Sequence, residues 1–403
     1  MNIFGKKKRI YLDYASTTPL SREVFSAMKP FFSDRFENPS SIYREGVLAR
    51  RVVDDSRSSI ARMLLVRPEE IIFTGSGTEA NNIALLGVFR AAKRVMKNVP
   101  HIVTTKIEHP SILEVCKQIE REGGEVTYVG VSKSGVVDPK EIVATLRPET
   151  ILVTVMYANN EIGTIQPMKE IARAIKHFKK QKREGDFAGA PFFHTDASQA
   201  ANYLSLKTDS LGVDMLTLDA SKIYGPKGIG LLFVRKDVPL SPIIFGGGQE
   251  KGIRSGTENV PAIVGFAKAL ELVAKLREGE VSRLTVLRDY FISELLKKFS
   301  PTGRISLNGH LDIECPSLPN IVNICFLGLN AEFAVIQLDE AGVCVASASA
   351  CKNLSDDSAS YVIEETSGPS CSQSSLRFSL GPATTKKELD RVIKVLNKVL
   401  VQK

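Results

Sequence analysis

A single lysine, Lys222, lies in a stretch whose composition is typical of covalent chemistry. Asp219 to Ser221 precede it, the Gly- and Pro-rich stretch Tyr224 to Gly230 follows, and the apolar run Leu231 to Val234 comes next. A lysine held between a strand end and a tight turn keeps one orientation, as an amine that forms a Schiff base must. Lys222 is therefore a candidate nucleophile. The alternative is a solvated lysine beside a hairpin turn.

Four further polar groups directly follow predicted strands. They are the loop Gly75 to Thr78, His109, the triplet Asn159 to Glu161, and Asp196 with Gln199. The carboxyl ends of parallel strands meet at one edge of a sheet, where ligands bind. This shared placement predicts that the four groups and Lys222 surround one site.

These groups offer complementary chemistry. The loop leads into a helix N-terminus, which favours a phosphate. Asp196 would pair with a protonated pyridine nitrogen, and His109 would stack on an aromatic cofactor and move protons. With Lys222 they form the set that pyridoxal 5'-phosphate requires. Each also has a structural alternative, namely a helix cap for the loop and for Asp196, and a structural histidine for His109.

Two more candidates lie near the end of the chain. Cys351 leads into the polar segment Lys352 to Ser360, and a cysteine on such a loop is what a sulfur carrier needs. The alternative is a buried or adventitious thiol. Arg377 is predicted to face inward on the strand Leu376 to Ser379, where it would clamp a substrate carboxylate or form a structural ion pair.

The composition indicates a soluble globular protein that acts on small anionic molecules. Its 403 residues suffice for one large core and a smaller one, and its net charge of +8 is spread along the chain, so we expect no direct nucleic-acid binding. No apolar run has membrane-spanning length, and no signal peptide is visible. The six cysteines lack zinc spacing. We therefore expect no membrane contact, no metal, and reduced thiols in the cytoplasm.

Alternating strands and helices must position these groups. From Ile71 to Leu218, apolar runs alternate with helical periodicity, which predicts βαβ units on a largely parallel sheet. One long helix, about Pro261 to Phe299, then connects to a compact second domain. That domain is predicted to contain strands at Ile321 to Phe326, Val343 to Ser347 and Leu376 to Ser379.

Ten motifs resemble those of cysteine desulfurases of the NifS/IscS type, which are class V aminotransferase-fold enzymes. The match runs in order from about residue 10 to 400. The motifs are Tyr11-Leu-Asp-Tyr-Ala15, Phe73 to Glu79, Glu108-His109, Asn159-Asn-Glu-Ile-Gly163, Asp196-Ala-Ser-Gln199, Ser221-Lys-Ile-Tyr-Gly-Pro-Lys-Gly228, Gly246 to Gly248, Arg254-Ser-Gly-Thr257, Ser349-Ala-Cys351 and Ser375-Leu-Arg-Phe-Ser-Leu-Gly381.

The resemblance implies an α/β protein of aminotransferase fold type I. Its mainly parallel seven-stranded sheet would be flanked by helices, with a smaller α+β second domain. The large cofactor-binding domain would span residues 16–260, and residues 1–15 plus 261–403 would form the small domain that carries the cysteine loop. A homodimer is also implied, because the position of Thr257 reaches the phosphate of the neighbouring subunit in the family.

Roles around the cofactor ring follow from the same resemblance. Lys222 would form the Schiff base with pyridoxal 5'-phosphate, His109 would stack on the ring as an acid/base, and Asp196 would pair with the pyridinium. Asn160 and Gln199 would contact the phenolic side of the cofactor, with Asn160 near the substrate.

The resemblance likewise assigns the phosphate and the substrate. Gly77, Thr78 and Ser221 would hold the phosphate, and Arg377 would bind the carboxylate of L-cysteine. Cys351 would attack the substrate thiol to form a persulfide, with alanine as the other product. A sulfur-acceptor protein, either an iron–sulfur scaffold or a tRNA-thiolation enzyme, is the implied partner.

Three positions depart from the family pattern. Ser221 replaces a usual His, Asp219 replaces a small hydroxyl residue that often helps to bind the phosphate, and Tyr43 replaces a common His. A carboxylate near a phosphate repels it unless the side chain turns away. Two alternatives therefore stay open beside cysteine desulfurase: a selenocysteine lyase, and a sulfur-relay or binding protein with impaired cofactor use.

Overall fold

A computed structural model of the chain describes residues 9–181, 187–303, 305–309, 316–347 and 359–401. Three sheets of very different size organise these residues. Their strands are β1 (Ile10–Tyr11), β2 (Ile71–Thr74), β3 (His101–Thr105), β4 (Glu125–Val129), β5 (Thr150–Thr154), β6 (Phe192–Asp196), β7 (Met215–Asp219), β8 (Gly230–Val234), β9 (Ile305–Leu307), β10 (Ile321–Phe326), β11 (Val343–Cys344), β12 (Ala346–Ser347) and β13 (Ser375–Ser379).

Helices surround the sheets and connect them. They are α1 (Arg22–Met28), α2 (Pro30–Ser33), α3 (Arg44–Leu64), α4 (Gly77–Lys93), α5 (Pro110–Arg121), α6 (Pro139–Thr145), α7 (Met168–Gln181), α8 (Thr208–Leu211), α9 (Val260–Phe299), α10 (Ala331–Glu340), α11 (Tyr361–Ser367), α12 (Pro369–Ser372) and α13 (Lys386–Val401).

The largest sheet has seven strands in the order β2-β8-β7-β6-β5-β3-β4. Its strand pairs are parallel except those that β8 makes with β2 and β7. The predicted mainly parallel seven-stranded sheet is therefore confirmed. Because β2, β3, β5, β6 and β7 all point the same way, the loops that follow them emerge at one edge, which collects the polar groups singled out in the sequence.

Apolar residues on both faces of this sheet are buried by helices. Side chains alternate between the faces of a strand. In β2, Ile71 and Phe73 belong to the core that α3, α7 and α9 cover, whereas Ile72 belongs to the core that α4 and α5 cover. Burial on both faces explains why these strands are continuously apolar in the sequence.

The second part of the chain forms a four-stranded antiparallel sheet in the order β12-β13-β10-β9. The 40-residue helix α9 spans from the large sheet to this one, and its Phe291 ring packs edge-on against Phe378 of β13 at 5.2 Å between centroids. The predicted connector helix is confirmed. The predicted strand Val343 to Ser347 is instead divided, because β11 pairs with β1 and β12 pairs with β13.

Two cysteines contradict the prediction of reduced thiols. Cys325 and Cys371 form a disulfide, with Cα atoms 5.3 Å apart. Cys325 lies opposite Ser375 in the pairing of β10 with β13, and the Ser375 hydroxyl donates to the carbonyl of Cys371 at 2.7 Å. The strand pairing thus brings together residues separated by 46 positions, which spacing rules do not reveal. Among the described residues, Cys116 and Cys344 are free thiols.

Candidate active site

A cavity of ≈300 Å³ opens at the carboxyl edge of the seven-stranded sheet. Residues from the ends of five strands (β2, β3, β5, β6 and β7) and from β13 line it, together with Ala15 and Ser16 from the segment after β1. The structure therefore brings most of the predicted site residues together. Those that line the cavity are Gly77, Thr78, His109, Asn160, Asp196, Gln199, Lys222 and Arg377.

Lys222 ends a short 3-10 turn that directly follows β7. Its Nζ donates to the carbonyl oxygens of Ala15 and Ser16 inside the cavity. The backbone is held on both sides, because the Ser221 carbonyl accepts the N–H of Thr18 at 2.9 Å and the Lys222 carbonyl accepts Nδ2 of Asn202 at 2.7 Å. The main chain is thereby held on both sides of Lys222, whose amine reaches the cavity.

His109 is oriented by the helix that it caps. It is the N-cap of α5, and its Nδ1 accepts hydrogen bonds from the backbone N–H of Ser111 at 3.1 Å and from the Ser111 hydroxyl at 2.8 Å. Because Nδ1 accepts, the proton of the neutral ring sits on Nε2. Burial lowers the pKa of His109, so the imidazole is neutral at neutral pH.

Asn81 joins His109 to Asp196 through one amide group. Its Nδ2 donates to the Ser111 hydroxyl and to Oδ2 of Asp196, both at 2.8 Å. The other oxygen of Asp196 accepts the N–H of Ser198 at 2.9 Å. Among the described ion pairs, none includes Asp196, so its carboxylate is held by neutral donors and is available to a cationic ring nitrogen.

The predicted phosphate end lies at the N-terminus of α4. Ser76 is the N-cap, and its side chain accepts the N–H of Glu79 at 3.1 Å. The N–H of Gly77 donates to Oδ2 of Asp219 at 2.9 Å. The structural alternative of a helix cap is therefore realised by Ser76, while the cavity-facing Gly77 already contacts a carboxylate.

Arg377 of β13 also lines the cavity and is 3% exposed. Its guanidinium donates to the carbonyl of Asn160 at 3.0 Å, to Oδ1 of Asp13 at 2.9 Å and to the hydroxyl of Ser16 at 2.7 Å. The Nε of Arg377 is buried and has no hydrogen-bond partner. The side chain thus makes the structural ion pair that was the alternative, while the residue also lines the cavity.

The remaining predicted residues differ in their placement. Gln199 lines the cavity and donates Nε2 to the carbonyl of Ala15 at 2.9 Å. Ser221 and Thr257 do not line it, and Thr257 is exposed. Cys351 lies outside the described residues.

Several residues of the site were not singled out from the sequence. Ser16 and Asp13 hold Arg377, while Asn81, Ser111 and Ser198 orient His109 and Asp196. Asn81 lies about one helical turn after the Gly-rich loop. That closeness in sequence is the one feature that could have indicated its place in the site. Asp13 is 364 positions from Arg377, so no local pattern connects them.

The described part of the chain has neither a metal-ligand cluster nor a membrane-spanning helix. No group of three or more His, Cys, Asp or Glu side chains there is arranged to hold a metal ion. No helix there is long and apolar enough to cross a membrane.

Comparison with known proteins identifies the family. The model for class-V aminotransferases matches residues 10–392. The chain belongs to the class-V aminotransferase family. The family relative named cysteine desulfurase IscS from Dictyoglomus turgidum is 42% identical over 395 residues, which cover 98% of this chain and 95% of the relative. Cysteine desulfurase IscS 1 from Archaeoglobus fulgidus is 40% identical over 396 residues, covering 97% and 96%.

Two solved structures that are each 32% identical in sequence superpose on most of this chain. A NifS-like protein does so with a TM-score of 0.87 at 32% identity, covering 98% of this chain and 100% of that chain. A second, described as SspA in complex with cysteine, gives a TM-score of 0.76 at 32% identity over 93% of this chain and 100% of that one. The resemblance to NifS/IscS-type cysteine desulfurases inferred from the motifs is thereby confirmed.

Proposed function

We propose that this chain is a cysteine desulfurase that uses pyridoxal 5'-phosphate. It would take sulfur from L-cysteine, release L-alanine and hold the sulfur as a persulfide on Cys351. The observation that carries the proposal is the arrangement of the Lys222 amine, the neutral His109 ring, the Asp196 carboxylate and the Arg377 guanidinium around one cavity of ≈300 Å³.

The residues present fit the ring and imine parts of this cofactor. The Lys222 Nζ points into the cavity, the Asp196 carboxylate lies free of cationic partners in the described ion pairs, and the imidazole of His109 is buried beside them. When bound, the cofactor supplies an aldehyde that joins to amines and a ring that withdraws electrons from the substrate. At its phosphate end the fit depends on Asp219, which contacts Gly77.

Different residues would hold the cofactor ring, bind the substrate and transfer protons. Asp196 would keep the ring nitrogen protonated, and the guanidinium of Arg377 would orient the carboxylate of L-cysteine. Lys222, when released, and His109 would carry protons at the substrate Cα and thiol. Their shared location favours this division, because proton carriers must lie within hydrogen-bond reach of the atoms they serve.

Sulfur transfer would belong to Cys351. Its thiolate would attack the sulfur of L-cysteine, forming an S–S bond while the Cβ–S bond breaks. The electron pair of that bond stays with the carbon, which takes a proton and becomes the methyl group of alanine. The persulfide sulfur would then pass to a protein acceptor, an iron–sulfur scaffold or a tRNA-thiolation enzyme.

Anchoring of the chain on both sides of Cys351 supports this role. Ala346 of β12 pairs with Arg377, and Ser347 lies four residues before Cys351, a stretch that spans at most about 14 Å when extended. On the other side, the hydroxyl of Ser360 donates to Oε2 of Glu161 at 2.6 Å, beside the cavity residue Asn160. The described residues on either side of Cys351 are thus attached next to the cavity residues Arg377 and Asn160, which favours a role for Cys351 at this site.

Mass spectrometry after incubation with L-cysteine tests the proposal. We expect one extra sulfur on the peptide that contains Cys351, and borohydride reduction should fix the cofactor to Lys222. Cys351→Ala should abolish the persulfide, and Lys222→Ala should abolish both signals. Cys344→Ala removes a free thiol elsewhere and is the matched control, which should leave both signals intact. Full alanine release by Cys351→Ala with a thiol acceptor would contradict the role of Cys351.

We also propose that the chain works as a homodimer in which Thr257 reaches the site of the partner subunit. Support comes from a group of exposed apolar side chains, which includes Phe36 at 71% and Ile42 at 97% exposure, and from the exposure of Thr257 itself. A monomeric soluble protein rarely displays such a concentration of apolar surface.

The domain boundaries and the cellular location are two further proposals. We infer a large domain over residues 16–260 and a small domain from residues 1–15 plus 261–403, which limited proteolysis of the linkers would test. We infer a cytoplasmic location, which fractionation of the producing cells would test.

A further inference from the structure

Asp219 places a carboxylate at the anion-binding end of the site. It is the last residue of β7, and its two oxygens accept different backbone donors. Oδ1 accepts the N–H of Ser221 at 2.8 Å, and Oδ2 accepts the N–H of Gly77 at 2.9 Å. Because Gly77 is the first residue of the 17-residue helix α4, the carboxylate caps the positive end of that helix.

This contact uses the donor that a phosphate would need. Free N–H groups at a helix N-terminus are the general means by which proteins bind phosphates. The side chain is also packed closely against Gly77: a Cβ atom at residue 77 would lie 3.1 Å from Cβ of Asp219 and 3.2 Å from its Oδ2. There is thus no room between Gly77 and Asp219 for a phosphate oxygen while the contact persists.

Two nearby cations make hydrogen bonds to groups other than Asp219. The guanidinium of Arg254, which reaches the loop at Gly75, is paired with Glu79 at 2.7 Å. The Nζ of Lys222 donates to the carbonyls of Ala15 and Ser16. Among the described ion pairs, none includes Asp219, and an arriving phosphate would meet the negative charge of its carboxylate.

We propose that Asp219 sets the affinity of this chain for the cofactor by acting as an internal anion in the phosphate site. The phosphate binds only when the Asp219 carboxylate gives up the Gly77 N–H. This inference rests on the proposed function and deepens it. The loss of affinity concerns the phosphate group alone, since the ring and the imine would be bound by Asp196, His109 and Lys222.

The test compares two ligands that differ only in the phosphate. Apoprotein is titrated with pyridoxal 5'-phosphate and with pyridoxal, and the dissociation constants are measured by absorbance of the bound ligand. Asp219→Ser frees the Gly77 donor, whereas Asp219→Asn keeps the shape and removes the charge. Asp214→Asn removes a carboxylate next to the opposite end of β7 and is the matched control.

We expect both Asp219 variants to bind pyridoxal 5'-phosphate about ten- to a hundredfold more tightly than the unaltered chain, since a like charge no longer opposes the phosphate. Affinity for pyridoxal should change by less than about twofold, and Asp214→Asn should behave as the unaltered chain. Thermal stabilisation by saturating cofactor should rise in the Asp219 variants as well.

Equal affinity in all proteins, weaker binding in the Asp219 variants, or the same gain for both ligands would overturn the inference. A cofactor adduct on Lys222 in these same proteins would nevertheless leave the proposed function in place. If borohydride reduction attaches the cofactor to Lys222 in none of them, the proposed function itself fails, and the inference fails with it.

Discussion

Glu108 is a buried carboxyl group beside the proposed acid/base His109. One oxygen accepts the Thr105 hydroxyl at 2.7 Å and the N–H of Met156 at 2.9 Å, while Oε2 is buried and has no partner. Burial raises the pKa of Glu108 to about 8. The side chain is therefore protonated at neutral pH and acts as a neutral brace between the loops after β3 and β5.

The raised pKa predicts how stability depends on pH. Below the usual value of 4.5 the carboxyl is protonated in both the folded and the unfolded chain. Between there and about 8 only the unfolded chain ionises, so the free energy of unfolding falls as pH rises, and above about 8 the loss is complete. Glu108→Gln should remove this slope and be more stable at pH 8 by on the order of 2 to 4 kcal/mol.

Urea unfolding at a series of pH values measures the effect. Glu114→Gln removes an exposed carboxylate from the nearby helix α5 and should follow the unaltered chain. Parallel pH profiles for Glu108→Gln and the unaltered chain would show that Glu108 ionises normally in the fold.

At the scale of elements, helix α11 attaches the chain after Cys351 to the rim of the cavity. Ser360 is its N-cap and accepts the N–H of Ile363 at 3.1 Å, while its hydroxyl donates to Oε2 of Glu161. The hydroxyl of Tyr361 donates to the carbonyl of Glu108 at 2.6 Å. Two successive residues thus join α11 to the loops that carry His109 and Asn160.

Loss of this attachment should slow sulfur transfer more than cofactor binding. Ser360→Ala removes a helix cap and a buried hydrogen bond, so we expect the free energy of unfolding to fall by about 1 to 2 kcal/mol. The rate of persulfide formation in one turnover should fall as well, because α11, the element that follows Cys351 in the chain, is held less firmly. Cofactor affinity should not change, since Ser360 does not line the cavity.

Ser372→Ala provides the comparison. Its buried hydroxyl donates to the carbonyl of Pro369 within α12, which is also near the second sheet. It should cost stability without slowing persulfide formation. Equal slowing in both variants would mean that the Ser360 contact has no special role in sulfur transfer.

At the scale of the whole molecule, exposed apolar side chains from one stretch of the chain indicate a partner surface. We define the apolar face as Phe32, Phe36, Ile42, Val47 and Leu48 on α2, α3 and the loop between them, all more than half exposed. These side chains contribute nothing to the core of one chain. Their burial in a dimer would explain why so much apolar surface is retained there.

A charge placed on this face should separate the subunits. Ile42→Asp, alone or with Phe36→Asp, is expected to convert a dimer into a monomer, measured by light scattering during size-exclusion chromatography. Cofactor affinity should then fall, because Thr257 of one subunit would no longer reach the other site. Val286→Asp alters an exposed apolar residue on α9 and should leave the dimer intact. A monomeric unaltered chain would refute the proposed dimer.

The sequence by itself determined the order of strands and helices, the edge of the sheet at which ligands gather, and the residues with chemistry to offer there. These follow from local patterns: burial on both faces of a parallel sheet makes strands continuously apolar, and the residue after such a strand lies at the ligand edge. Lys222, His109 and Asp196 were identifiable for that reason, and the structure places all three at one cavity.

Only the tertiary structure decided which groups that are distant in sequence come into contact. Asp13 with Arg377, Asp219 with Gly77, and Cys325 with Cys371 are joined across 364, 142 and 46 positions. Local periodicity cannot predict contacts over such separations in sequence, because each contact depends on how separate strands and helices pack. Local sequence patterns thus determine which chemical groups the site contains. The balance of charges around them, including the carboxylate at the phosphate end, depends on the packing of the whole chain.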